Sequence, residues 1–319
     1  MSNINYLSIL KKAWSITWSN KYLWWFGFFI ALTSTGNIFT YSNDNEKSTQ
    51  WINQQMSDLI AAHGGLVISG ILFALVICII LLVMRILSRG ALIEGTAKAA
   101  KGEKGNFTQG VKNGKKYFWR IFLISFLVQL AMATIAILIA TPIVFLFMTK
   151  SYVLGALLTL VGILIIIPLF ILAFFLENFA FIYVVLSNIS MVDAIENSYN
   201  LFRKNMGSSV VMALIFLPIS IIIGLASIML FLFLAIIFLV IGLVFFFIFG
   251  KIGAIMIVVL AAISILLLFF GVRSIYETFY QAAWVFFFHE IASPKIEEKI
   301  AETVPEEIKS APAPDPQNC

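Results

Sequence analysis

Charge is scarce in this chain of 319 residues: Asp, Glu, Lys and Arg together make up 12%, and there are only two histidines, His63 and His289, and two cysteines, Cys78 and Cys319. Two histidines cannot build a clustered metal site, and the string HEIAS at 289–293 carries Ser293 where the HExxH zinc motif requires its second ligand. One cysteine inside an apolar run and one at the last position give no disulfide framework, and a terminal cysteine is not a prenylation box, which needs three further residues. Gly110 and Gly114 stand too close together for a GxxxxGK phosphate loop, and Gly114 is followed by two lysines rather than by lysine and a hydroxyl residue. There is no GxSxG nucleophile elbow, and no pair of carboxylates lies within any long uncharged run. These absences remove nucleophile, base and metal together, so the sequence reads as a non-enzyme, and it implies no cofactor.

What the sequence does have is apolar surface. Hydrophobic residues make up 61% and the mean hydropathy is +1.01, more than one soluble core of this length can hide. Uncharged runs cover 22–43, 59–84, 121–149, 151–176, 205–250 and 252–272, each reaching the roughly 20 residues that cross hydrocarbon as a helix. The fold class expected is all-α integral membrane, with about six transmembrane helices at roughly 22–40, 66–88, 119–148, 152–178, 208–248 and 252–285. The 46 residues of 205–250 would make about 69 Å of helix, either one kinked span with a protruding end, the reading adopted, or a hairpin turning near Gly224–Ser227. Pro142, Pro168 and Pro218 fall one to each of spans three, four and five, as packing kinks or as broken helices of the kind that line transporter sites.

The positive charges sort to one side. Eighteen of the 21 lysines and arginines lie before span one, between Arg85 and Arg120, at Arg203 and Lys204, or from Arg273 onward; only Lys47, Lys150 and Lys251 lie opposite. The densest stretch, KGEKGNFTQGVKNGKKYFWR at 101–120, holds six basic residues and one acid. Basic connections stay with the cytosol, which predicts a multi-pass protein of the inner (plasma) membrane with both termini cytoplasmic. A seventh span would put the C-terminus outside. Each basic residue near the surface is drawn to anionic headgroups by about 1 kcal/mol, so the net charge of +5 requires no nucleic acid. Trp14, Trp18, Trp24, Trp25, Trp119 and Trp284 fall near the same boundary, where indole rings anchor. Residues 1–34 also admit a cleaved signal peptide, but a long amphipathic segment precedes the apolar stretch, unlike a short basic leader.

Three segments show one helical pattern. Phe107, Gly110, Val111, Gly114 and Phe118 share a face opposite Lys112, Asn113, Lys115 and Lys116; Met191, Ala194, Ile195, Ser198 and Phe202 repeat the spacing, as do Leu10, Ala13, Trp14 and Thr17. Interfacial helices are therefore expected at roughly 4–19, 107–117 and 190–205, each opening a unit completed by a transmembrane hairpin, an internal repeat of three. Ser190 with Asp193 fits the S-x-x-D signature of a helix start. The membrane domain is expected over 1–292, a polar external loop over 42–63, and a disordered, acidic, proline-rich cytoplasmic tail over 293–319 with a short helix at Lys295–Glu302.

Charges cluster at the inner ends of the even-numbered spans: Arg85, Arg89 and Glu94, then Glu177, then Arg273 and Glu277. Polar groups beside hydrocarbon need partners, so the candidate site is a rim network of Arg85, Arg89, Glu177, Arg273 and Glu277 in which Glu177 and Glu277 pair with Arg89 and Arg273. Such a network can receive an anionic headgroup or solute, or serve only as snorkelling side chains and interhelical glue.

The strings AWSITWSNKYLWWFG (13–27), RGALIEG (89–95) and MVDAIENSYNLFRKN (191–205) resemble a group of uncharacterised prokaryotic polytopic membrane proteins, similar to the membrane domain attached to some bacterial glycerophosphodiester phosphodiesterases. In those fused proteins the phosphodiesterase barrel supplies catalysis; this chain has no room for it, and no catalytic residue carries over. The resemblance implies a lipid- or envelope-associated scaffold or regulator. A transporter of an amphiphilic or anionic solute is the alternative. The partners expected are membrane lipids, including anionic headgroups, with a protein partner or a homo-oligomer left open.

Overall fold

The computed structural model describes residues 4–34, 46–103 and 105–303, with side chains placed for 4–33, 64–103, 105–253 and 255–292. The described elements are all helices: α1 (Tyr6–Ser19), α2 (Leu23–Ser34), α3 (Glu46–Ala100), α4 (Phe107–Met148), α5 (Tyr152–Leu186), α6 (Met191–Lys204) and α7 (Met206–Thr303). The last turns back on itself at Gly250 (φ 63°, ψ −147°), a left-handed conformation that glycine adopts without strain. Gly242 then faces Ile257 across the two arms. Five helical segments are long and apolar enough to cross a bilayer: Gly64–Ala100, Phe107–Met148, Tyr152–Leu186, Met206–Gly253 and Ile255–Ala292. The chain is an all-α, multi-pass membrane protein.

The first expected span, 22–40, is described only as far as Ser34. Its described helix α2 has 12 residues, about 18 Å at 1.5 Å per residue, and the remainder of the expected span lies outside the described residues. The run 205–250 forms one helix arm and not a hairpin. Pro142 and Pro168 lie inside continuous α4 and α5. The polar segment 42–63, expected as a loop, is helical from Glu46 onward; it contains neither proline nor glycine to stop a helix. At the other end α7 stays helical through Thr303, taking in Lys295–Glu302, and the remainder of the expected tail lies outside the described residues.

The expected interfacial helix 107–117 is not a separate element but the first turns of α4. Gly110 and Gly114 explain why. A Cβ at Gly110 would lie 2.6 Å from the Phe26 ring, and one at Gly114 would lie 2.4 Å from the Leu87 carbonyl oxygen. The missing side chains let α4 run straight on against α2 and α3 instead of bending away along the surface. α1 and α6 are separate helices. Each ends at an asparagine, Asn20 or Asn205, whose side-chain amide donates to a carbonyl of its own last turn, Ile16 or Leu201. Ser190 caps α6, accepting from the Asp193 N–H at 3.3 Å and donating to the Asp193 carboxylate at 2.7 Å.

Burial is concentrated at the basic end of the helices. Ile86–Thr96 of α3, Ile121 and Ile124 of α4, Phe175–Val185 of α5 and Ser274–Ala292 of α7 supply most of the buried core, together with the inner faces of α1 and α6. Further along, Leu66–Leu82, Leu130–Phe170 and Leu217–Leu267 are largely exposed apolar surface, which a bilayer can solvate. Trp284 corrects an expectation: it is fully buried, with Phe175, Phe179 and Phe216 around its ring, and so belongs to the core. Trp14, Trp18, Trp25 and Trp119 are exposed.

Candidate site at the basic end of the bundle

The charges follow long apolar stretches. Arg85 and Glu177 each follow 26 uncharged residues, and Arg273 follows 21; these make about 39, 39 and 31 Å of helix. Each charge therefore stands where a stretch long enough to cross hydrocarbon ends. α3, α5 and the second arm of α7 converge there.

Arg89 Nη1 donates to Glu177 Oε1 at 3.2 Å, with both side chains about one fifth exposed. Ser125 Oγ, from α4, donates to the same carboxylate oxygen at 2.7 Å. The Arg89 guanidinium also lies over the Phe181 ring, 5.1 Å from its centroid, a cation–π contact that offsets part of its desolvation. Three helices thus meet on one carboxylate. The second expected pair is looser: Arg273 Nη2 is 3.9 Å from Glu277 Oε1, both on α7, and the Arg273 Nε is buried without a hydrogen-bond partner among the described residues. Glu277 also lies in the field of Arg85 and Arg89. Glu94 stands apart, paired with Lys98 one turn on at 2.9 Å.

Arg85 lies within electrostatic reach of Arg89, Glu177 and Glu277, yet among the described residues it makes no hydrogen bond or ion pair. It borders a pocket of about 190 Å³ between α3, α4 and α5, lined also by Arg89, Ser125, Gln129 and Glu177 on its polar side and by Leu82, Phe122 and Phe126 on its apolar side. Two larger clefts, of about 510 and 560 Å³, are apolar grooves along the α4–α5 and α7 hairpins.

Sequence reasoning missed Ser125, Gln129 and Phe181. The first two carry a readable signal, since an i, i+4 polar pair inside an apolar run places two hydrogen-bonding groups on one face. Phe181 carries none, being one phenylalanine of 31. Two further polar contacts are structural. Ser274 Oγ donates to the Trp24 carbonyl and Thr278 Oγ1 to the Leu23 carbonyl, pinning α2 to α7 across Gly27, where a side chain would strike the Ser274 backbone. Arg120 donates to the carbonyl and side chain of Asn188 and to the Ile189 carbonyl, holding the left-handed residue (φ 51°) that ends α5.

No curated protein and no solved structure matches the chain. A match to the family described as "Family of unknown function (DUF7544)" covers residues 22–293, and the chain belongs to that family.

Proposed function

We propose that this chain is a non-catalytic, lipid-associated scaffold or regulator of the cell envelope, related in its membrane domain to the membrane portion of glycerophosphodiester phosphodiesterases. It is threaded through the inner (plasma) membrane with its basic connections and both termini at the cytosol. The observation that carries this reading is the charged cluster at the ends of the apolar stretches, in which three guanidiniums face two carboxylates beside a pocket walled partly by apolar side chains. The buried stripes Ile9–Ala13–Thr17, Gly110–Gly114–Tyr117 and Ala194–Ser198–Leu201 support a threefold repeat of amphipathic helix and hairpin.

Transport of an amphiphilic or anionic solute is the weaker reading. Sites for drug-sized ligands occupy about 300–1,000 Å³ and enclose most of their occupant, whereas the polar pocket holds about 190 Å³ and the larger clefts are open apolar grooves. Mass spectrometry of the natively purified protein tests the lipid reading: retained phospholipid is expected, and a chain that keeps its fold with no lipid bound refutes it. Orientation is tested separately by a single cysteine at Lys112 in a chain free of Cys78 and Cys319. Labelling only after the cells are permeabilised is expected; labelling of intact cells overturns the cytosolic assignment.

A further inference from the structure

We infer that the pocket between α3, α4 and α5 is a binding site for the phosphodiester headgroup of an anionic phospholipid, with Arg85 the residue that meets the phosphate oxygens. This rests on the lipid-associated reading above and names its ligand and its contact.

Three observations carry it. The first is charge. Among the described residues Arg85, Arg89 and Arg273 face two carboxylates, Glu177 and Glu277, which leaves one positive charge uncompensated there beside hydrocarbon, where unpaired charge is costly. Arg89 is already committed to Glu177 and to the Phe181 ring. Arg85, one turn away on the same helix, is repelled by Arg89 and has no ion-pair partner among the described residues. An anion in the pocket relieves both. The second is chemistry: a guanidinium presents donors in a planar fork that matches two phosphate oxygens, and Gln129 adds an amide on the same wall.

The third observation chooses the source of the phosphate. Leu82 and Phe126, which border the pocket, are 45% and 51% exposed, apolar surface of α3 and α4 that a bilayer can solvate. With these two exposed apolar side chains on its border, the pocket lets a headgroup sit against Arg85 while its acyl chains lie along Leu82 and Phe126. A zwitterionic lipid brings its own ammonium and leaves the excess charge in place. An anionic diester such as phosphatidylglycerol does not.

The test presents the purified full chain with equal phosphatidylglycerol and phosphatidylcholine in mixed micelles and reads bound lipid by native mass spectrometry. The wild type is expected to prefer phosphatidylglycerol about tenfold, corresponding to one desolvated charge contact. Arg85→Gln is expected to lose that preference and Arg85→Lys to keep part of it. Leu82→Trp, which leaves every charge in place and fills the apolar border of the pocket, is expected to lose it as well, and decides the matter if Arg85→Gln fails to fold. An unchanged preference in Arg85→Gln, or in Leu82→Trp where Arg85→Gln does not fold, overturns the site. Acyl-free glycerophosphoglycerol at millimolar concentration is expected to displace little; full displacement overturns a lipid in favour of a soluble phosphodiester. A wild type that retains lipid without headgroup preference defeats this inference alone, whereas one that retains none defeats the broader reading.

Discussion

The Arg89–Glu177 pair makes a quantitative claim. At 3.2 Å two unit charges attract by about 5 kcal/mol at an effective dielectric constant of about 20. Desolvation offsets most of this, and interhelical polar contacts in membranes measure about 0.6 kcal/mol on average and about 1.7 at most. The pair is about one fifth exposed and shares its carboxylate with Ser125, so a coupling near the upper end, about 1–2 kcal/mol, is expected. The experiment is a double-mutant cycle of Arg89→Gln and Glu177→Gln, read from unfolding of the chain in mixed micelles titrated with a denaturing detergent. Each single change is expected to cost about 1.5–3 kcal/mol, since each strands a charge. The double variant should be more stable than the sum of the singles predicts, by the coupling energy. Coupling below about 0.3 kcal/mol, the level at which independent sites add, would refute the view that this pair joins α3 to α5.

Two further outcomes follow from packing. Gly114→Ala places a methyl 2.4 Å from the Leu87 carbonyl oxygen, forcing α3 and α4 about 1 Å apart; a net loss of about 1–3 kcal/mol is expected. Gly70→Ala, with nothing within 4 Å of the new atom, should be neutral or stabilising by up to about 1 kcal/mol, and equal effects in the same unfolding assay would remove the close-approach argument. Trp284→Ala empties a fully buried site ringed by phenylalanines and should cost about 3–5 kcal/mol; a loss below about 1 kcal/mol would return Trp284 to the membrane interface.

The apolar helices were legible because a bilayer imposes a length on every uncharged run, and the charges that end those runs could be read from position alone. Helix rotation and continuity could not. The continuity of α4 depends on whether Gly110 and Gly114 meet Phe26 and Leu87, residues that lie 84 and 27 positions away in sequence and on other helices. Trp284 obeys the interfacial preference by its place in sequence and breaks it by facing inward among aromatic side chains. At the site, residue types and depth pointed to Arg89 with Glu177 and Arg273 with Glu277. Nothing in the sequence distinguished a 3.2 Å contact across two helices from a 3.9 Å approach along one, and Ser125 and Gln129 lay inside a run read only for its hydrophobicity.

That distinction bears on how the cluster works. An ion pair between helices fixes their relative position, whereas one between residues four apart on a single helix is satisfied wherever that helix goes. Arg89 with Glu177 and Ser125 therefore locks α3, α4 and α5 together, while Arg273 with Glu277 adds no tie between α7 and the others. α7 is held instead by the aromatic shell around Trp284 and by Ser274 and Thr278 against α2. The tie through Glu177 occupies both the carboxylate and the arginine nearest it, and this leaves Arg85 as the member of the cluster whose charge is unspent on structure. The arrangement that stabilises the α3–α4–α5 corner is thus the one that leaves a cation facing its pocket, and it is this cation, one turn from the structural arginine, to which the proposed lipid site assigns its contact.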